Sequence, residues 1–149
     1  MLMIIGLSVL GAVIAAVIGT VWYSQATPMG KVHMQYLGFD KLTPEEQKQK
    51  MEEAKPMMAK MYLGQLALSF LTAFFVVFMM IKGSMNGEPA SMIVAYLVLT
   101  WLCFMVPIIG SALLWSNCDR AIVWKKFFSD IFANLVTILV IALVTSFFI

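Results

Sequence analysis

Four stretches of the chain carry no Asp, Glu, Lys or Arg: Met1–Gly30, Met61–Ile81, Pro89–Cys118 and Ile131–Ile149. Charge is concentrated between them. A hydrocarbon core about 30 Å thick is crossed by about 20 apolar residues in a helix, so each stretch supplies one span or nearly so. The expected spans are about 2–22, 61–81, 90–115 and 128–149. Lys82-Gly83, Asn86-Gly87 and Pro89 read as a helix end, a turn and a helix start, which makes the second and third spans a hairpin. The expected fold class is all-α: a single domain over 1–149, built as an integral-membrane four-helix antiparallel bundle.

The first polar segment holds a helix of its own. In Thr43-Pro44-Glu45-Glu46 the threonine caps, the proline takes the first helical position and Glu46 closes a capping box. Met51, Ala54, Met58 and Met61 share one face of it, with Glu46/Lys50 and Lys48/Glu52 paired four apart on its surface. We therefore expect a short cytoplasmic amphipathic helix over about 44–55 that runs on towards the second span with a bend near Pro56.

Composition excludes a water-soluble domain: 62% of the residues are hydrophobic and 12% charged, against about a quarter charged in soluble proteins. The first stretch lacks a basic start and is too long for the apolar part of a leader, so it reads as a span rather than a cleaved signal peptide. A net charge of +2, scattered along the chain, gives no footprint for nucleic acid. Lysine and arginine mark the cytoplasmic side. Lys31, Lys41, Lys48, Lys50, Lys55 and Lys60 lie in loop 23–60 and Arg120, Lys125 and Lys126 in loop 116–126, while the remaining loop has Lys82 alone. This places both termini outside and those two loops in the cytoplasm. Cys103 and Cys118 are about 22 Å apart along one helix, too far for a disulfide.

Candidate chemistry is sparse. Gly11, Ala15 and Gly19, with Ser8, Ala12 and Ala16 beside them, form a small-residue face suited to close helix packing. Gln65, Ser69 and Thr72 on the second span, and Asp130, Asn134 and Thr137 on the fourth, each fall at i, i+4, i+7 and so on one face. Both trios start near the same end, so they are candidates for a polar pocket open to the cytoplasm; interhelical hydrogen bonds are the plainer explanation. Pro107 kinks the third span, with Gly110 adding slack. Asp130 is the only acid near the apolar zone and no base is expected at depth, which argues against pumps, coupled transporters and voltage sensors. Thirteen methionines with His33 and Cys103 raise a copper site, but their dispersion favours packing. No metal, cofactor or catalytic set is expected.

The stretch VWYSQATPMGKVHMQYLGF, residues 21–39, is a membrane boundary: Trp22 and Tyr23 anchor the end of the first span, Pro28 and Gly30 turn the chain, and Lys31 reaches lipid headgroups. Gly19-x-x-Trp22-Tyr23-Ser24, then Gly30-Lys31 and Gly38, together with Trp101-Leu-Cys-Phe104, Pro107 and Leu114-Trp115, resemble the signature of the small bacterial membrane proteins grouped as domain-of-unknown-function family 1761. The chain departs from that pattern at Gln25, where the family has Pro, at His33, where it has an aromatic residue, and by one added residue before Gly30. The resemblance implies a compact integral membrane protein and leaves the activity open. Expected function is that of a non-enzymatic membrane module in contact with lipids, assembling with itself or within a larger membrane complex. The alternatives are a small carrier or channel lined by the polar trios and, more remotely, a lipid enzyme using Asp130 or His33.

Overall fold

The computed structural model describes residues 1–149. It is helical throughout, with α1 (Leu2–Trp22), α2 (Pro28–Tyr36), a 3-10 turn (Phe39–Lys41), α3 (Pro44–Met85), α4 (Ala90–Thr100), α5 (Val106–Leu114) and α6 (Arg120–Ser146). A π-helical segment, Trp101–Met105, joins α4 to α5. Four units are long and apolar enough to cross a membrane: α1, α3, the continuous Ala90–Leu114 segment, and α6.

α1 packs against α3 and α6, α4 against α3, and α5 against α6. The core they share is aliphatic: Leu7 from α1, Ala73, Val76, Val77, Met80 and Ile81 from α3, Ile93 and Leu97 from α4, and Ile138, Ile141 and Ala142 from α6. α1 meets its neighbours through Leu7, Ser8, Gly11 and Ala12. At Gly11 the approach is close enough that a Cβ would lie 2.8 Å from Ala73 Cβ and 3.2 Å from Ile141 Cγ2. Of the expected small-residue face, Ser8, Gly11 and Ala12 are buried. Gly11 packs within the chain, Ala15 is half-buried, and Gly19 has no neighbour within 4 Å of its would-be Cβ.

The capping box at the start of α3 forms as expected: Glu46 N–H donates to Thr43 Oγ1 (3.3 Å) and Thr43 N–H to Glu46 Oε2 (2.8 Å). The helix that starts there does run on into the second span. α3 is one helix of 42 residues, about 63 Å long, and it runs through Pro56. That proline forfeits one hydrogen bond, to the carbonyl four residues back, and the turns on either side carry the helix past it. No residue of α3 before Ser69 is buried.

The kink expected at Pro107 takes the form of the π segment. Val106 N–H reaches back to Trp101 O, a wider turn that accommodates the proline without ending the helix. Gly110 provides room more than slack, since a Cβ there would sit 3.3 Å from Phe127 Cε2 on α6.

α6 begins at Arg120, well ahead of the expected 128, because Asp119 caps it: Ala121 N–H donates to Asp119 Oδ1 at 2.8 Å. Lys125 and Lys126, read from the sequence as loop residues, are thus helical.

Candidate functional site

The site is built where α1 ends. Trp22 closes that helix, and the chain must reverse within a few residues to start α2. Thr27 organises the reversal, its Oγ1 accepting from Gly30 N–H (2.9 Å) while its hydroxyl lies 2.7 Å from Trp22 O and 2.9 Å from Ser24 O. Pro28 follows at the first helical position, so α2 starts with the same cap-and-proline device as α3. Gly30 is forced: a Cβ there would fall 1.8 Å from Ser24 O, and only a residue without one fits against that carbonyl.

This fold-back lays α2 across α6. Trp22 donates its indole N–H to Ser129 Oγ (3.1 Å), and Tyr23 donates its hydroxyl to Asp130 Oδ1 (2.7 Å). Lys126, one turn before Asp130 and only 6% exposed, donates to both carboxylate oxygens. Its ammonium also stands 4.9 Å from the Tyr23 ring centroid and 5.7 Å from that of Tyr36, distances at which a ring face attracts a cation. Cys118 Sγ contacts Tyr36 O at 3.4 Å, tying the end of α2 to the loop before α6. The His33 ring packs on Tyr23 with centroids 5.0 Å apart, leaving its Nδ1 buried without a hydrogen-bond partner. Burial, and secondarily the charge of Lys126, hold the His33 pKa below its ordinary value; Asp130 opposes them more weakly.

In energetic terms the cluster is a clasp. Desolvating a lysine and an aspartate is costly, and what offsets it is their mutual charge, the Tyr23 hydroxyl and the aromatic faces. Losing one member of such a pair typically costs about 3–5 kcal/mol, because the other is left buried and charged. Both Asp130 oxygens are occupied, so the carboxylate is arranged to hold the first loop on α6 more than to accept a proton from a substrate.

No hydrogen bond joins the two polar trios. Asp130 turns towards α1 and α2. Asn134 Nδ2 donates to Asp130 O (2.8 Å), Thr137 to Ala133 O (2.8 Å) and Thr72 to Leu68 O (3.2 Å), each within its own helix. Ser69 is buried in the packing, Gln65 is exposed, and no side-chain hydrogen bond joins α3 to α6. Within the membrane-interface motif, Trp22, Tyr23 and Gly30 form the heart of the clasp, Ser24 supplies the carbonyl against which Gly30 fits, and Lys31 is exposed. Sequence reasoning missed Thr27, Ser129 and above all Lys126, which it left in a loop. Two signals point to it: the Asp119 cap, which brings residue 126 into the helix, and the four-residue spacing to Asp130.

Two cavities flank α6. One, of about 390 Å³, lies between the end of α1, α2 and α6 and is lined by Trp22, Pro28, Met29, Val32, Phe128 and Phe132, with Lys125 and Ser129 the polar members. The other, of about 360 Å³, lies beside Pro107 and Gly110 against Trp124 and Phe127.

A family model described as a protein of unknown function, DUF1761, matches residues 7–146. No curated protein and no solved structure matches the chain.

Proposed function

Because the chain belongs to the DUF1761 family, which carries no assigned activity, we propose from its own geometry that it is a non-enzymatic membrane module that assembles with a second copy of itself. In this reading the four long apolar helices form an antiparallel bundle with both termini outside and the lysine-bearing segments 23–60 and 116–126, the latter including the first turns of α6, in the cytoplasm.

The observation that carries the proposal is the length of α3. About 20 residues suffice to cross the bilayer, so Pro44–Lys60 projects beyond it, and no residue of that projection is buried, its tie to the rest of the chain being Gln47 on the Phe39 and Leu42 carbonyls. Helical segments of this length are marginal alone in water. Met51 (46% exposed) and Met61 (66% exposed), with the half-buried Ala54 and Met58 between them, run along it as an apolar stripe. The same stripe on a second copy would bury both. The carrier reading has weaker support, because three of the side chains it requires, Thr72, Asn134 and Thr137, are bonded to carbonyls of their own helices and Asp130 is held by Tyr23 and Lys126.

Native mass spectrometry of the full chain released from lipid nanodiscs tests the proposal. Dimers or larger assemblies are expected, with Met51→Glu and Met58→Glu together shifting the population to monomer. A wild-type chain that is monomeric at every loading would refute it.

A further inference from the structure

We infer that the cavity between α1, α2 and α6 is a binding site for an anionic phospholipid, with one acyl chain along the groove and the phosphate at Lys125. The inference is independent of self-assembly.

Three observations lead there. The groove wall is apolar and aromatic, from Trp22, Met29, Val32, Phe128 and Phe132, and at about 390 Å³ it falls within the usual range for a small-molecule pocket. Its polarity is also graded along α6. Lys125 stands at the end nearest the charged loop, and Phe132, seven positions on, lies about 10 Å further towards the apolar middle of the helix. A headgroup above an acyl chain has that same order and about that same spacing.

The third observation is charge. The chain contains two ion pairs, Lys55 with Glu52 and Lys126 with Asp130. Asp130, the acid nearest the groove, is thereby neutralised inside the clasp. Lys125, on the groove, and exposed Lys31, next to Val32 on α2, have no acid bonded to them. Lys125 is therefore the one charged side chain lining an apolar bed, with Lys31 on the neighbouring helix α2 as a second cation, a balance that complements a lipid phosphate with net negative charge more than a zwitterionic headgroup.

Trp22 lines the groove and can report on it directly. Replacing Trp101, Trp115 and Trp124 by Phe leaves Trp22 as the only indole in the full chain, and its fluorescence is read in phosphatidylcholine vesicles containing a small fraction of lipid with brominated acyl chains. Brominated phosphatidylglycerol is expected to quench Trp22 more strongly than brominated phosphatidylcholine. The preference should fall about fivefold on Lys125→Gln and again on Lys31→Gln, the effect of a single lysine at a charged interface. Both lysines are exposed, and circular dichroism should show the same helicity in each variant. A bulky Val32→Trp, read by mass spectrometry of retained phosphatidylglycerol because it adds an indole, should lower retention. Equal quenching by the two lipids before any substitution, or a preference that survives loss of both lysines, overturns the assignment. So does absence of quenching by either, which is what a protein neighbour seated in the groove would give.

Discussion

At the scale of single residues, the clasp rests on side chains that cannot be exchanged for near equivalents. Gly30→Ala places a methyl group into Ser24 O. The loop must then open, at a cost of the order of 1–3 kcal/mol typical of overpacking, and a lower melting temperature in detergent would register it. Lys126→Met leaves Asp130 charged and buried, with an expected loss of about 3–5 kcal/mol, whereas Lys126→Met combined with Asp130→Leu removes both charges and should recover most of that loss. If the double variant were as unstable as the single one, packing rather than charge would hold the site. His33 adds a pH dependence. An undocked His33 binds its proton near the ordinary value of about 6.5, while the docked one, its pKa lowered by burial and by Lys126, binds it only at lower pH. Docking is therefore fully stable above about pH 6.5 and weakens as pH falls below that value through the docked one. Thermal unfolding at pH 7.5 and 5.5 should show the loss in the native chain and a smaller one in His33→Phe.

At the scale of elements, helix caps decide where sequence reading succeeds. The capping box at Thr43 is legible because polar residues surround it and nothing competes for its interpretation. Thr27-Pro28 carries a similar signal, yet it sits inside thirty uncharged residues, Met1–Gly30, where hydropathy is uniform and conceals the end of one helix and the start of another. Asp119 was hidden in the opposite way, since the charges after it resemble a loop and only the cap shows that the helix has begun. The helix that starts at Thr43 continues through Pro56, because proline removes one hydrogen bond and the helical turns on both sides are long enough to carry the defect. Hydrogen exchange should divide α3 accordingly: amides of residues 45–60, none of which is buried, exchange faster in monomeric protein than those of 69–81, which lie in the core. Equal protection along the whole helix would indicate that the projecting part is covered.

For the whole molecule, the four apolar stretches were plain from the sequence, because the bilayer leaves few ways to satisfy a backbone and charge marks where it is left. Which faces meet was not. Gly11 and Gly19 are equivalent in the sequence and differ only because α3 and α6 cross α1 near one of them. The polar trios illustrate the same limit: spacing places three residues on one face but does not say which way the face looks, and Asp130 looks towards the first loop. The resulting picture is an aliphatic core with a short helix at one end, which a lysine, an aspartate and a tyrosine fasten in place. Hydrogen–deuterium exchange of the native chain and of Lys126→Met, compared in the same nanodiscs, tests that picture most directly. We expect residues 24–36 to lose protection in the variant while 7–12, 73–81 and 138–142 keep theirs; unchanged protection over 24–36 would contradict the account.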